Sequence, residues 1–473
     1  TDRIGCRPPP LCVTLATLER TGAPPRLRSP FPVARALANP LHDALPIPSV
    51  PRLHMSIDLS DLRALRITEL VQTARELGVD NAAGMKKQEL IFEIVRRKAG
   101  PSGGSRGEGV LETLPDGFGF LRSPACNYLP GPDDIYVSPS QIRRFNLRTG
   151  DLVGGRVRAP KEGERYFALI KIETVNDRSP DTERQKLLFD NLSPVQPARR
   201  IPLAGDDPSL RLIQRFLPFA HGQRIAVHAP PRAGRSTLVR ELANGIAGAN
   251  PDAAVLVVLV DERPEEVSAM AQAVRGEVLS STFDEPPSRH VQVAEMALER
   301  AKRLVEQGRD VFLFIDSLSR LARAYNATAA IGGRELNGGV DLASIQKGRR
   351  LFGAGRCLDE GGSLTLVATL LTRTEHAVDE LLLKEVDGSA NAELRLDPDL
   401  VDAGIWPAFD LKGSFVRGAE RVVGDVMADT LVRELRALPT EPADAIQAAL
   451  EAGPIDDAAD GGSEGAPAVL TAR

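Results

Sequence analysis

Cysteine is scarce: the 473 residues hold four, Cys6, Cys12, Cys126 and Cys357. Apart from the first two they lie far apart and show no metal-ligand spacing, which argues against a disulfide framework or a zinc module. A reducing cytoplasm is the compartment this implies. No run of about 18 apolar residues occurs, so no membrane span is expected. Aromatics make up only 4%, with one Trp and four Tyr, so any local cluster of rings is informative. Net charge is −5. That excludes a uniformly basic, histone-like binder but leaves room for a local basic surface. What is present is enough apolar material for a sizeable core, 42% hydrophobic against 26% charged. At ~100–200 residues per domain the length suggests two to four domains.

Residues 1–54 contain 11 Pro, 7 Arg and 3 acidic residues and no helical or strand period. The chain opens with Thr1, the first Met is Met55, and regular patterning begins just after it. The segment reads as a disordered basic extension or as upstream reading frame that is not native, and the second is favoured. Its apolar stretches are broken by Pro, unlike a signal peptide. Over 55–100 a small helical unit is expected. Asp58 or Ser60 can cap a helix carrying Leu62, Leu65 and Leu70, and a second helix aligns Leu90, Ile91, Ile94 and Val95 on one face. Lys86-Lys87 and Arg96-Arg97-Lys98 make its end basic, either a solvated face or a nucleic-acid contact. Pro101–Ser105 is a linker. Residues 107–177 switch to short strands broken by Gly and Pro, which suggests a small antiparallel barrel. After a linker over 178–204, residues 205–450 alternate helical stretches with apolar runs at Arg224–His228, Ala254–Val260, Val311–Ile315 and Leu364–Leu370. That alternation means a mainly parallel α/β sheet. The tail, 451–473, is rich in Ala, Gly and Asp and reads as disordered.

Two stretches carry chemistry. In Gly117-Phe118-Gly119-Phe120-Leu121-Arg122 two aromatics stand at i and i+2, on one side of a strand, and the glycines leave the rings uncovered. Tyr136 and Tyr166 fall in two further strand-like segments, with Arg122, Arg143, Arg144 and Arg165 for charge. Flat rings beside cations suit single-stranded nucleic acid, because bases stack while cations follow phosphates. The same spacing also fits two phenylalanines in a barrel core.

The second stretch is a strand, Arg224–His228, leading through Ala229-Pro230-Pro231-Arg232-Ala233-Gly234-Arg235-Ser236-Thr237 into a helix from Leu238. A helix N-terminus after such a turn presents free N–H groups and the positive dipole end to an anion. The usual phosphate-loop pattern is G-x-x-x-x-G-K-[ST]. Here Ala229 replaces the first Gly and Arg235 the Lys, while Gly234 and Ser236 fit. Arg keeps the charge, but its planar fork is not equivalent to an ammonium. The next strand ends Leu259-Val260-Asp261-Glu262, and Val311–Ile315 is closed by Asp316. A magnesium ion held by Asp316 and a water polarised by Glu262 is the chemistry these acids suggest. A lone acid at a strand end is more often a helix cap; a phosphate loop and two acids in this order is not.

At this point the sequence closely resembles the bacterial transcription termination factor Rho family, over about Ile57 to residue 450. Asp116–Arg122, Gly131–Asp151, Lys161–Leu169, Asp261–Val267, Ser281–Met296, Asp316–Asn326, Gly338–Asp341 and Gly361–Thr365 carry the likeness. The resemblance implies a multidomain chain: a small N-terminal helical unit, an oligonucleotide-binding (OB, cold-shock-like) β-barrel and a RecA-like α/β P-loop ATPase domain. It implies a homohexamer ring, an RNA-dependent ATPase and helicase using ATP and Mg2+, with RNA polymerase as partner. It makes Phe118, Phe120, Arg122, Asp134, Tyr136, Glu164 and Tyr166 a primary site for pyrimidine-rich single-stranded RNA, with Arg165 beside them. Glu164 and Asp134 would accept from the base amino group. Pro231, Arg232, Ala233, Gly234, Arg235, Ser236 and Thr237 would hold the nucleotide, Ser236 and Asp316 the metal, and Glu262 would be the general base. Arg433 falls where the family's arginine finger reaches a neighbouring subunit, and Arg417 is a second candidate for sensing the γ-phosphate. One pore loop corresponds to about Ile331–Arg349, with Arg334 as its basic residue and Gly338-Gly339-Val340-Asp341 intact. The other corresponds to Val386–Asn391.

Three departures fall at functional positions. Arg232 and Arg235 stand for lysines. The family's Lys-Gly-Thr-Gly reads Asp387-Gly388-Ser389-Ala390, which reverses a charge facing phosphate, where binding is largely electrostatic. Three readings follow. The first is an ATP-driven RNA translocase that releases transcripts. The second is an ATPase-impaired, RNA-binding relative that modulates termination. The third is another RecA-like ATPase, such as a rotary-synthase-type subunit, against which the Gly117–Arg122 motif argues.

Overall fold

The computed structural model describes residues 61–62, 65–98, 105–161, 164–182, 186–329, 335–336 and 339–452. All of them belong to one compact unit, Met55–Arg473. The readings of 1–54 as an extension, of Asp58 and Ser60 as caps and of the 451–473 tail as disordered from 453 onward lie outside the described residues, while Glu451, read as part of that tail, instead ends a helix that begins at Pro442.

The first two long helices are α1 (Ile67–Glu76) and α2 (Lys87–Lys98). The cap of α1 is Arg66, whose backbone N–H donates to the Glu69 carboxylate at 2.9 Å. Leu70 and Ala74 are buried on α1, and Leu90, Ile91, Ile94 and Val95 on α2, as the 3.6-residue period expects. These side chains run without a break into the barrel core through Leu111, Leu121, Ile135 and Phe167.

The barrel has five strands: β1 (Ser105–Thr113), β2 (Gly119–Arg122), β3 (Ile135–Val137), β4 (Leu152–Arg158) and β5 (Phe167–Val175). They close in the order β1-β2-β3-β5-β4. The expectation of a wholly antiparallel barrel fails at one seam, where β3 and β5 are parallel. The chain leaves β3, crosses through α3 (Pro139–Phe145) and β4, and returns in the same direction, which a hairpin cannot do.

The rest is a nine-stranded sheet. Its strands are β6 (Pro194–Val195), β7 (Arg224–Ala229), β8 (Ala254–Glu262), β9 (Glu277–Thr282) and β10 (Asp310–Asp316), then β13 (Arg356–Leu358), β14 (Ser363–Leu371), β15 (Ala392–Arg395) and β16 (Phe415–Val416). A separate two-stranded ribbon joins β11 (Glu335–Leu336) to β12 (Val340–Asp341). The main path is β16-β15-β7-β14-β10-β8-β9, parallel from β15 to β9. Both faces are covered, so the central strands are apolar on both sides. Leu313 and Ile315 join one core with Leu256 and Val258. Phe312 and Phe314 join the other with Val257 and Leu259.

The first face carries α7 (Pro287–Glu306), α8 (Leu318–Ala327), α9 (Leu342–Phe352) and α10 (Ala377–Asp387). The second carries α4 (Pro208–Phe216), α5 (Arg235–Ala249), α6 (Pro264–Ala273), α11 (Pro398–Asp402) and α14 (Pro442–Glu451). Two helices, α12 (Ala419–Val423) and α13 (Asp425–Ala437), precede α14.

Two expectations change here. The segment 178–204, read as a linker, contributes β6 and buries Phe189, Leu192, Ile201 and Leu203. The segment read as a loop over about Ile331–Arg349 is helical from Leu342 onward, because the Asp341 side chain accepts from the Ser344 N–H at 2.8 Å and caps α9. Among the described residues no helix is long and apolar enough to cross a membrane.

Candidate functional site

On the barrel, Leu121 points inward and is fully buried. Alternation therefore turns its neighbours Phe120 and Arg122 away from the apolar core, and neither Phe118 nor Phe120 belongs to that core. The reading of both phenylalanines as core is excluded. Phe118 sits just before β2, and Tyr166 just before β5 rather than within a strand. The four rings meet: Phe118 and Tyr136 centroids lie 5.7 Å apart, Phe118 and Phe120 5.8 Å, and Phe120 and Tyr166 4.8 Å. Tyr166 is 39% exposed, and Arg165 beside it is also exposed. This is a partly open aromatic patch on one side of the barrel.

The charges around it differ from expectation. Arg122 is only 5% exposed. Its guanidinium lies 5.0 Å from the Phe120 ring centre, and it pairs with Glu112 at 2.7 Å and with Asp134. It props the ring from beneath and is not open to phosphate. Asp134, 2% exposed, also accepts from the Gly131 N–H at 2.8 Å. Burial pushes its carboxyl up to about 6, against the pull of Arg122. Glu164 is exposed but engaged: Arg158 grips both its oxygens, at 2.6 and 2.9 Å. These bonds, with the Lys161 N–H, hold its carboxyl down at about 2. Both acids are therefore engaged in this arrangement, Asp134 through Oδ2 and Glu164 through both oxygens. Exposed positive charge beside Tyr166 comes from Arg165, while Arg143 and Arg144 are exposed in the last turn of α3.

The phosphate loop runs between β7 and α5, and α5 begins at Arg235, three residues before the expected Leu238. Gly234 has φ +79°, and a Cβ there would lie 2.5 Å from the Trp406 ring, so this position tolerates only glycine. Arg232 is also left-handed, at φ 64°. Pro231 and Arg232 are exposed, Ala233 is buried, and Ser236 and Thr237 are half-buried in the first turn of α5. The free N–H groups of that turn and its dipole form an anion cradle.

Glu262 ends β8. The ladder to β9 skips Asp261, whose φ is 54°, so Glu262 turns toward the loop. It is 7% exposed and Asp316 is 0% exposed. Arg235 bridges them, with Nε 2.6 Å from Asp316 Oδ1 and Nη2 2.8 Å from Glu262 Oε2. Two carboxylates this deep need compensating charge. The second cation is Arg320, on α8. It donates to Glu262 Oε2 at 2.8 Å and to the carbonyl oxygens of Val260 and Asp261. The Thr369 hydroxyl donates to Asp316 Oδ1 at 2.8 Å. Asp316 Oδ2 is buried and has no hydrogen-bond partner among the described residues. A bound cation satisfies such an orphaned acceptor, so the donor set fits a metal. Sequence reasoning missed Arg320, Thr369 and Trp406. Each arrives from a distant element, and no spacing announces it.

Other expected residues are not at this centre. Arg433 lies on the exposed side of α13 and donates to Asp429 O and Thr430 Oγ1 of its own helix. Arg417 is exposed, and its N–H donates to Asn391 O at 2.8 Å. Gly339 lies in the β11–β12 turn, where Asn326 donates to its carbonyl at 3.2 Å. Arg334 and Gly338 lie outside the described residues. Asp387 ends α10 and is exposed.

Residues 107–181 match the family model for the Rho termination factor RNA-binding domain. Residues 61–103 match the Rho termination factor N-terminal domain. Residues 209–416 match the nucleotide-binding domain of the ATP synthase alpha/beta family. Among curated relatives, the transcription termination factor Rho of Pseudomonas fluorescens biotype C is 48% identical over 374 residues, 78% of this chain and 89% of the relative. That of Chromobacterium violaceum is 48% identical, covering 77% and 88%. That of Escherichia coli (strain K12) is 47% identical, covering 77% and 88%.

Proposed function

The chain belongs to the transcription termination factor Rho family, and from that premise we propose that it is an ATP-driven RNA translocase that releases transcripts from RNA polymerase. The observation that carries this is the pairing, in one chain, of an outward aromatic patch on an RNA-binding barrel with a phosphate loop facing two strand-end acids. The relatives favour termination activity over an ATPase-impaired modulator, and over a rotary-type subunit whose name only the nucleotide-binding domain shares.

In this reading single-stranded, pyrimidine-rich RNA stacks its bases on Phe118, Phe120, Tyr136 and Tyr166, while Arg165 and neighbouring cations follow the phosphates. Arg122 and Asp134 act from beneath, holding Phe120 in place. Glu164 reaches a base only after releasing Arg158. ATP phosphates lie on the N–H groups of residues 232–237, with Pro231 shaping the turn and Arg232 and Arg235 as the cations. Ser236 and Asp316 would hold Mg2+, which when bound supplies positive charge against the phosphate oxygens. Glu262 orients the attacking water. For this Arg235 has to let go of Glu262 and swing to phosphate, leaving Arg320 to position the carboxylate. Arg433 acts across a subunit boundary in a homohexamer ring, Arg417 is a second candidate for sensing the γ-phosphate, and Arg334, Gly338 and Gly339 take the family's role of contacting RNA. The division into a helical unit (55–100), RNA-binding barrel (107–177), connecting segment (178–204) and motor (205–450), and a cytoplasmic location, complete the proposal.

The test is ATP hydrolysis by purified protein with and without poly(C), followed by transcript release from a stalled elongation complex. RNA-stimulated turnover with release is the expected result. Poly(C) binding without turnover would overturn the motor reading.

A further inference from the structure

We propose that His228, Asp387 and Glu393 form a binding site for a divalent transition-metal ion of the zinc kind. The site fastens the end of α10 to the strand that enters the phosphate loop. It rests on geometry separate from the nucleotide reading. In the parallel pairing of β7 with β15, Ala226 stands opposite Glu393 and His228 opposite Arg395. Ala226 and His228 share one face of β7, and α10 covers that side of the sheet. One ligand atom from each of the three side chains lies within 4.8 Å of the other two. His228 Nε2 and Glu393 Oε2 are already 3.5 Å apart. That is the separation of neighbouring ligands around an ion with bonds of about 2.0–2.2 Å.

A second observation points to a ligand. His228 is 8% exposed, and its Nε2 is buried with no hydrogen-bond partner among the described residues. A buried imidazole nitrogen left unpaired is costly, and a metal bond is one way to satisfy it. Glu393 is buried beside His228, whereas Asp387 is exposed and gives the ion its way in from water. One imidazole with two carboxylates suits zinc, manganese or cobalt better than the all-oxygen cages of calcium. Arg395 donates to Glu393 Oε2 at 3.1 Å, so an ion has to compete with that guanidinium, and a moderate affinity follows. The charge reversal at Asp387, costly where RNA phosphate passes, has a role at this site as a ligand.

The experiment uses the full chain, stripped with chelator and titrated with Zn2+ in a calorimeter and with Co2+ by visible absorption. Saturable binding of one ion per chain is expected. Asp387→Asn changes an exposed side chain and should keep the parent's thermal melt while weakening binding by more than about tenfold. His228→Gln should abolish the Co2+ spectrum. Absence of saturable binding overturns the proposal. So does binding that Asp387→Asn leaves unchanged, since the ion would then sit elsewhere. If His228→Gln fails to fold, the Asp387→Asn result decides alone.

Discussion

Arg235→Lys should tighten nucleotide binding. Arg235 spans two buried carboxylates, with Nε at 2.6 Å from Asp316 and Nη2 at 2.8 Å from Glu262. Its side chain and both acids are largely buried, so water screens these contacts little. Phosphate has to draw the guanidinium off at least one acid. A lysine ammonium is a single point charge and cannot span both carboxylates with separate nitrogens. The variant therefore gives up roughly one charge-assisted hydrogen bond in the free state, worth about 1.5–3 kcal/mol. That loss returns as affinity, about ten- to a hundredfold in Kd. Calorimetric titration with ATP measures it, and a nucleotide-free melt should show the lysine variant less stable than the parent. Arg235→Ala is the control. It leaves Asp316 with Thr369 and Glu262 with Arg320 and the Arg263 N–H, and should cost about 3–5 kcal/mol of stability, the scale for breaking a buried ion pair. If Arg235→Lys binds ATP no more tightly and melts with the parent, the bridge carries no energy and the reasoning fails.

Phe120→Ala or Tyr166→Ala should weaken oligo(C) binding by about 1–3 kcal/mol, read by fluorescence anisotropy, with the melt unchanged because these rings lie outside the barrel core; unaltered affinity would refute the stacking role. Gly234→Ala should abolish ATP binding and destabilise the motor, since its φ is +79° and the new methyl meets Trp406. Trp406 is the sole tryptophan, so its emission should change when ATP enters the parent, and a silent titration would contradict that placement. Asp134 is raised to about 6 by burial, above its unfolded value of about 4. Between those values the folded chain holds a proton that the unfolded chain has lost, so this group adds stability as pH falls from about 6 toward 4. Asp134→Asn should remove that increment in denaturant titrations at pH 7 and pH 5. An identical pH response in parent and variant would contradict it.

The sequence alone determined what is local. Apolar runs such as Val311–Ile315 became central strands because a strand buried on both faces has to be apolar throughout. The faces of α2 and the strand-turn-helix of the phosphate loop were legible for the same reason: spacing and turn chemistry act within a few residues. Only the tertiary structure decided what depends on closure. The barrel seam made β3 and β5 parallel. Inward burial of Leu121 put Phe120 outside, with Arg122 locked between Glu112 and Asp134. Arg320 reaches Glu262 from 58 residues away, and Trp406 covers Gly234 from a distant turn. The bridge from Arg235 to Glu262 and Asp316 joins the start of a helix to two strand ends that only the sheet order brings together. Composition shows that charges are available. Which carboxylate a guanidinium neutralises depends on which one is buried beside it, since desolvation makes an unpaired buried charge untenable, and burial is a property of the packed chain.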